Sequence, residues 1–320
     1  MGRVVVMGSL IVDLVARAAH LPGPGETLLG TDFGEFLGGK GCNQAVAAAR
    51  QRAQVAMIGR VGADAHGESY VQALAHEGID GSGVRHDPEV GTGLALIYVG
   101  EDTGQNMIIV APQANMRLSR DDVEAALDAV APHGAGHEPW IFLTQCEIPL
   151  EATRAGLARA RRDGAMTILN PAPVPTVPLE NELLGLVDVL TPNEPEATAL
   201  SGIQVDSRAS AEMAAEHILA RGPKHVVITL GSQGYLWSTR GPNGAIAHTY
   251  GAALDVRAVD ATAAGDTFCG TLAASLAAGN SMANALERAN AAAAISVTRK
   301  GAQPSIPSAT EVDAMLAQSQ

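Results

Sequence analysis

Short apolar runs rich in β-branched residues alternate along this chain with alanine-rich segments of helical spacing, and this alternation limits the possible folds most strongly. The runs are RVVVMG, VAMIGRVG, WIFLTQ, AMTILN, VDVLTPN and HVVITLG. The helical segments cover residues 43–52, 67–77, 120–130, 151–162, 208–221 and 265–279. Strands that alternate with helices form a mainly parallel sheet with helices on both faces. The sequence therefore predicts an α/β protein.

Two regions depart from this alternation. Residues 11–37 and 92–111 have strand-like patterns, such as TGLALIYV and QNMIIVA, with no helix inside them. We expect antiparallel strands inserted into the α/β body, where a small sheet could cover a ligand cleft as a lid. Because no Pro/Ser-rich linker divides the 320 residues, we interpret residues 1–320 as one domain.

Composition excludes several classes of partner. The net charge of −13 argues against a basic face for nucleic acid, and the scattered Lys and Arg residues argue against a membrane-surface patch. No apolar stretch reaches the roughly 18 residues that span a bilayer.

The three cysteines, Cys42, Cys146 and Cys269, cannot all pair and lack metal-ligand spacing, which favours a reducing cytoplasm. His133 and His137 are four residues apart, but their segment is too rich in Gly and Pro for a helical zinc site.

Two glycine-rich turns precede helical segments, although neither a P-loop nor a dinucleotide-binding fingerprint is present. In GGKGCNQAVAAA (residues 38–49), the glycines could let the backbone approach a ligand, or the segment could be a simple turn with a solvated lysine. In DATAAGDTFCG (residues 260–270), the small residues could serve helix packing beside an Asp cap, or they could bind an anion at a helix N-terminus.

Polar residues follow several of the predicted strands. Parallel α/β sheets bind ligands at the carboxyl ends of their strands, where the loops converge on one crevice. Any one of these residues could be an ordinary cap or turn residue, but together they predict a site. They are Asp13, Glu147, Asn193, Glu196, the segment TLGSQG (residues 229–234) and Asp266.

Both glycine-rich segments resemble the two signatures of the ribokinase-like (PfkB) family of carbohydrate kinases. LNPAPV, TPNEPEA, TLGSQG and AAAAISVTRKGAQPSIP are also similar to members of this family, so the resemblance runs almost end to end. It implies a three-layer αβα domain with a β-sheet lid, and a homodimer joined through the lids. It also implies an ATP-dependent kinase that uses Mg²⁺ and K⁺ and phosphorylates the 5-hydroxyl of D-ribose.

The resemblance also implies roles for individual residues. Asp266 would be the base that takes the proton from the sugar hydroxyl, and Ala264, Gly265 and Asp266 would form an anion hole for the phosphoryl group. Sugar binding would involve Asp13, Gly39, Lys40, Gly41, Cys42, Asn43 and Glu147. ATP binding would involve Asn193, Thr229, Leu230, Gly231, Ser232, Gln233, Gly234, Gly265, Asp266 and Asn290, with Glu196 tied to Mg²⁺. The K⁺ site would involve Asp260, Thr262, Ser296, Arg299, Gly301 and Ser305.

One position departs from the family pattern. Two residues before Asp13, where these kinases carry an Asn that binds sugar, this chain has Ile11. An apolar side chain cannot pair with a sugar hydroxyl, which favours altered discrimination at that hydroxyl. The alternatives to a ribose kinase are therefore a kinase for 2-deoxyribose, another small sugar or a nucleoside, or a sugar sensor without catalysis. Each cysteine lies inside a proposed site segment. The cysteines could be small buried residues that fill space in the core, as free cysteines usually are, or their alkylation could inactivate the protein and bound sugar could protect it.

Overall fold

The computed structural model describes residues 2–132, 140–241 and 243–318, so His133 and His137 lie outside the described residues. The strands, in chain order, are β1 (Arg3–Met7), β2 (Ile11–Ala18), β3 (Asp32–Gly38), β4 (Gln54–Gly62), β5 (Asp80–Asp87), β6 (Gly93–Gly100), β7 (Asn106–Ala111), β8 (Ile141–Thr144), β9 (Met166–Leu169), β10 (Val189–Leu190), β11 (His225–Thr229), β12 (Tyr235–Arg240) and β13 (Ile246–Gly251).

The helices lie between these strands and after them. They are α1 (Lys40–Arg50), α2 (Ala65–His76), α3 (Arg120–Val130), α4 (Leu150–Arg162), α5 (Asn181–Leu184), α6 (Glu194–Ser201), α7 (Arg208–Leu219), α8 (Ala264–Ala277), α9 (Met282–Ser296) and α10 (Ala309–Gln318). Several begin at a side-chain cap, as α3 does at the predicted cap Ser119 and α6 does at Asn193.

Within the described residues, the central sheet has the strand order β13-β12-β11-β10-β9-β8-β1-β4-β5. Its strands run parallel except β12 and β13, which pair antiparallel at one edge. Side chains of β1 alternate between two buried cores: Val5 and Met7 pack with α3, α4 and α7, whereas Val4 and Val6 pack with α1, α2 and α8. The predicted α/β fold, with helices on both faces of a mainly parallel sheet, is confirmed.

A second sheet has the strand order β3-β2-β6-β7 and contains strands from both of the regions that departed from the alternation. The pairs β2–β3 and β6–β7 are antiparallel, as expected, but the central pair β2–β6 is parallel. The reason is topological. Strands β2 and β6 each continue from a strand of the central sheet, β1 and β5, and those two strands run in the same direction.

Several elements were not anticipated from the sequence. Strand β5 is an edge strand with only two fully buried residues, so its sequence DGSGVRHD carries little apolar signal. Helix α9 is so rich in alanine that its buried and exposed faces hardly differ in hydrophobicity. In the part of the chain that the structure describes, no helix is long and apolar enough to cross a membrane.

Candidate active site

The cleft of this structure lies where the carboxyl ends of the parallel strands meet the first turns of α1 and α8. It contains a cavity of about 670 Å³ and a smaller cavity of about 190 Å³. Both cavities are lined by the start of α8, at Ala264 and Gly265, and by Asn193 and Thr229. Asp266 lines the smaller cavity. The beginning of α8 therefore separates two adjoining compartments.

The first turn of α8 supplies free backbone donors. Its cap, Ala263, has φ 59°, a left-handed conformation that costs a non-glycine residue about 1–2 kcal/mol and that is typical of functional turns. The N–H of Ala264 already donates to the Ala261 carbonyl (3.2 Å). Within the described residues, the N–H groups of Gly265 and Asp266 have no acceptor, and a Cβ added at Gly265 would meet no atom within 4 Å. This turn can receive an anion.

Asp266 is 6% exposed, and amide groups hold both of its carboxylate oxygens. Asn43 Nδ2 donates to Oδ2 (3.0 Å), and Gln44 Nε2 donates to Oδ1 (2.9 Å). The Oδ1 atom of Asn43 is buried and lacks a partner among the described residues. A base with this environment has a fixed orientation, and an unpaired acceptor lies beside it.

Two different structural reasons explain why glycines occupy the first signature. Gly39 caps α1 with φ 82°, and a Cβ there would lie 2.7 Å from the Ile11 nitrogen. A Cβ on Gly41 would lie 2.6 Å from the Ser9 nitrogen, so α1 packs directly against the β1–β2 turn. At Gly38, a Cβ would lie 2.5 Å from Asp13 Oδ2. The close approaches around Gly39 and Gly41 are thus to the protein's own backbone, and Gly38 leaves space for the Asp13 carboxylate.

Three carboxyl groups face one another across the sugar side of the predicted site. Burial, and then the charges of Glu147 and Asp266, raise the pKa of Asp13 to about 6. Burial also raises the pKa of Glu147, although Lys40 opposes this and Ser9 Oγ donates to Glu147 Oε2 (2.5 Å). No described residue donates a hydrogen bond to the Asp13 carboxylate. Asp13 can therefore accept hydrogen bonds from a polyhydroxylated ligand.

Lys40 is the cation of this group. Its backbone N–H donates to Glu147 Oε2 (3.1 Å), while its side chain lines the smaller cavity together with Asp266. Burial alone would lower the pKa of Lys40, but the carboxylates of Asp266, Glu147 and Glu196 raise it overall, so the ammonium stays charged. Among the described residues the ammonium has no ion pair within 4 Å. This positive charge is available to a phosphate group.

The residues predicted to bind the nucleotide divide into two sets. The larger cavity is lined by Asn193, Thr229, Gly231, Ser232, Gly234, Gly265 and Asn290. Leu230 instead lies in the hydrophobic core, and Gln233 does not line either cavity.

Asn193 and Glu196 form the capping box of α6, with Asn193 N–H donating to Glu196 Oε2 (2.9 Å). Since only Oε2 is engaged, Glu196 Oε1 is left for the smaller cavity that this residue lines.

The residues predicted to hold a monovalent cation come from two loops. Asp260 Oδ1 accepts from the Thr262 N–H and hydroxyl, and Asp260 Oδ2 accepts from the Gly301 N–H (2.8 Å). These hydrogen bonds outweigh burial and lower the pKa of Asp260. The hydroxyls of Ser296 and Ser305 are buried and donate to backbone carbonyls, which leaves oxygen lone pairs for a ligand. The Arg299 guanidinium pairs with Glu311 and cannot itself be a ligand.

The cysteines are poor nucleophiles in this structure. Cys42 and Cys269 are buried, and burial raises the pKa of Cys42, Cys146 and Cys269 to about 12 in each case. Since the thiolate is the reactive form, modification at neutral pH is disfavoured. Of the two alternatives, this geometry favours buried residues that fill space in the core over a site of inactivation by thiol reagents.

Sequence reasoning missed several polar residues that surround Asp266. Gln145 and Asn170 follow strands β8 and β9, so the strand-end rule that selected Glu147 could have selected them too. Gln44 gave no such signal, because a glutamine in the second turn of a helix usually faces solvent. An apolar part of the lining of the larger cavity was also missed. It contains Ala253, Leu254, Val256, Ala293, Ala294 and Val297.

Comparison with known proteins gives matches over nearly the whole chain. The family model described as pfkB family carbohydrate kinase matches residues 1–309. A ribokinase of Haemophilus influenzae is 40% identical over 306 residues, which cover 96% of this chain and 95% of that protein. A deoxyribokinase of Salmonella typhi is 32% identical over 305 residues and covers 95% of both proteins.

The fold also matches solved structures. The structure of Arabidopsis thaliana ribokinase complexed with ribose and ATP is similar, with a TM-score of 0.87, 31% sequence identity and 98% of both chains covered. That structure contains a sugar and a nucleotide together.

Proposed function

The chain belongs to the pfkB family of carbohydrate kinases, and we propose that it transfers the γ-phosphoryl group of ATP to the 5-hydroxyl of D-ribose. One observation carries this proposal: at the first turn of α8 the Asp266 carboxylate lines the small polar cavity, while the preceding residues Ala264 and Gly265 line both this cavity and the larger, mostly apolar one. Full-length similarity to ribokinases at up to 40% identity supports ribose as the acceptor.

The proposed mechanism separates the two substrates. ATP binds in the cavity of about 670 Å³. The sugar binds near Asp13, Asn43 and Glu147, which line neither cavity, and its hydroxyl meets the smaller cavity at Asp266. Asp266 accepts the proton of the attacking hydroxyl as the new P–O bond forms. The free N–H groups of Gly265 and Asp266, with Lys40, stabilise the negative charge on the transferring phosphoryl. ADP then leaves with the electron pair of the broken bond.

Magnesium is compatible with the residues near Glu196. One oxygen of this carboxylate is used in the α6 capping box, and the other is free on the side of the smaller cavity. Hard cations prefer oxygen ligands and usually keep several waters, which suits a single carboxylate beside a triphosphate. When bound, Mg²⁺ would neutralise charge on the phosphate oxygens.

Potassium is compatible with the loops that contain Asp260 and Gly301. We expect activity at saturating Mg·ATP and ribose to rise several-fold when Na⁺ is replaced by K⁺, and the melting temperature to rise as well. Oxygen donors from a carboxylate, hydroxyls and carbonyls suit such a cation. Asp260→Asn should weaken both effects. Equal activity and equal melting temperature in the two salts, in ammonium-free buffer, would contradict the proposed site.

A second candidate acceptor is 2-deoxyribose. Ile11 is 3% exposed, yet it belongs to none of the hydrophobic core clusters formed by the described residues. Its side chain lies on the same face of β2 as Asp13. The deoxyribokinase relative at 32% identity makes this acceptor a specific alternative.

We also propose a homodimer joined through the small sheet, which would cover the sugar as a lid. On the face opposite Asp13, the outer part of this sheet exposes a group of large apolar residues, and such a patch marks an interaction surface. They are Phe33, Leu96, Tyr98, Met107 and Ile109.

The dimer is tested by introducing a charge into this patch. We expect Ile109→Asp to shift the sedimentation coefficient from dimer to monomer, because an unpaired buried carboxylate strongly disfavours an interface. Val177→Asp, at a residue that is 63% exposed outside the sheet, should leave it unchanged. A wild-type protein that sediments as a monomer at micromolar concentration would contradict the dimer.

The acceptor is identified by measuring ADP release with D-ribose, 2-deoxyribose, other pentoses and hexoses, and nucleosides. We expect ribose to give the highest kcat/KM among them. A higher value with 2-deoxyribose would establish the second candidate, and a higher value with a nucleoside would contradict both. ATP binding without ADP release in every case would indicate a sensor.

A further inference from the structure

A chain of buried amides leads from the end of strand β8 to the proposed base. Gln145 Nε2 donates to Gln44 Oε1 (2.6 Å), and Gln44 Nε2 donates in turn to Asp266 Oδ1 (2.9 Å). The second hydrogen of Gln44 Nε2 is directed at Asn170 Oδ1 (3.1 Å). Gln44 and Gln145 are both fully buried, so water does not compete for these groups.

The carboxylate of Asp266 fixes the direction of every hydrogen bond in this series of amides. An ionised carboxylate only accepts, so Gln44 must present its NH₂ group to Asp266 and its oxygen to the other side. That oxygen in turn requires a donor, which obliges Gln145 to present its own NH₂ group. The Asn170 NH₂ group donates to the Thr191 carbonyl (2.8 Å), which leaves its oxygen toward Gln44. Each amide therefore has one permitted orientation.

This series of amides leaves one buried acceptor without a partner among the described residues. With its NH₂ group turned toward Gln44, Gln145 has a buried Oε1 that lacks a partner among the described residues. A Cβ at Gly8 would lie only 1.9 Å from that oxygen, so the glycine leaves just enough room for the side chain. A buried acceptor without a donor is destabilising. An apolar residue at position 145 would avoid this cost, but it could not donate a hydrogen bond to Gln44 Oε1.

We propose that Gln44 is a positioning residue for Asp266 and that Gln145 acts through Gln44. This inference rests on the proposed function of Asp266 as the base. Asn43 and Gln44 hold the two carboxylate oxygens from adjacent positions on α1, so the plane of the carboxylate is fixed by two hydrogen bonds. The remaining lone pairs are then directed toward the smaller cavity, where the sugar hydroxyl would arrive. Fixed orientation of a base lowers the barrier without changing substrate binding.

The test is the exchange Gln44→Met, which keeps the shape of the side chain and removes its hydrogen bonds. We expect kcat to fall about tenfold to a hundredfold, as for the loss of one hydrogen bond to a charged group. The KM values for ribose and ATP should change less than about threefold, because neither substrate touches Gln44. The matched control is Gln54→Met at the exposed start of β4, which should leave kcat unchanged.

A double-mutant cycle tests whether Gln145 acts on Asp266 only through Gln44. Gln145→Met should lower kcat by a smaller factor, and the double variant should be no worse than Gln44→Met alone, since Gln145 acts only through Gln44. Crystal structures add a readout that does not depend on activity: Asp266 should occupy one rotamer in the wild type and more than one in Gln44→Met.

Three results would overturn the proposal: retention of more than half of kcat by Gln44→Met, losses that multiply in the double variant, or an unchanged Asp266 rotamer. If Gln44→Met does not fold, Gln145→Met alone decides, and an unchanged kcat would overturn the inference. If the wild type phosphorylates no sugar, the function proposed above fails, while the rotamer comparison still decides whether Gln44 positions Asp266.

Discussion

Asp266→Asn should lower kcat by a factor of about 10²–10⁴, the usual contribution of a positioned general base. The KM values for ATP and ribose should stay close to those of the wild type, because the exchange removes the proton acceptor and keeps the size of the side chain. The structure also suggests that the variant can fold. Asn43 has an unpaired Oδ1, so its amide can rotate and accept a hydrogen bond from the new NH₂ group.

The measurement is steady-state kinetics with both substrates, alongside Asp121→Asn, the same exchange in the exposed first turn of α3. The control should match the wild type. If the Asp266 variant keeps more than about a tenth of the wild-type kcat, another group takes the proton. A large rise in KM with an unchanged kcat would assign Asp266 to binding instead.

Ile11→Asn should raise kcat/KM for ribose relative to 2-deoxyribose by about tenfold to a hundredfold, since one hydrogen bond in a closed site is worth roughly 1–3 kcal/mol. Ile11 pairs with Gly38 of β3 and Gly93 of β6. A Cβ on Gly38 would lie 2.5 Å from Asp13 Oδ2, and a Cβ on Gly93 would lie 2.4 Å from Asn115 Nδ2. Polar groups therefore flank the Ile11 side chain, which is 3% exposed and lies on the same face of β2 as Asp13. An asparagine at position 11 would place an amide beside the carboxylate that is proposed to bind the sugar.

The quantity to measure is the ratio of the two kcat/KM values in the wild type and in the variant. Val15→Asn provides the control, because Val15 lies on the same face of β2, two residues beyond Asp13 and farther from the central sheet. Its ratio should equal that of the wild type. An unchanged ratio in Ile11→Asn would mean that Ile11 does not contact the sugar.

The alternation of apolar runs and helical segments was sufficient to predict the parallel strands β1, β4, β8, β9, β10 and β11, because buried parallel strands consist almost entirely of β-branched and aliphatic residues. The antiparallel edge strands β12 and β13 were not predicted. Strand β5 escaped prediction because it lies at an edge and buries few side chains. The parallel pairing of β2 with β6 could not be read from local sequence, since it depends on how two distant connections leave the central sheet.

The candidate site was predictable where its residues follow a strand or a glycine turn, as Glu147 and Asp266 do. Asp13 was selected by the same rule, although it lies inside strand β2. The contribution of Gln44 depends on which face of α1 packs against α8, and that is a property of tertiary packing. For the glycines of the first signature, the sequence predicted a close approach of the backbone but not its partner. At Gly41 that partner is the β1–β2 turn of the protein itself.

The most direct test of the central claim is to identify the product by NMR after incubating the wild-type protein with ¹³C-labelled D-ribose, Mg·ATP and K⁺. The proposed function predicts ribose 5-phosphate formed in a one-to-one ratio with ADP, with ³¹P–¹³C coupling at C5. Phosphate at another carbon, or ADP formed without a phosphorylated sugar, would contradict it.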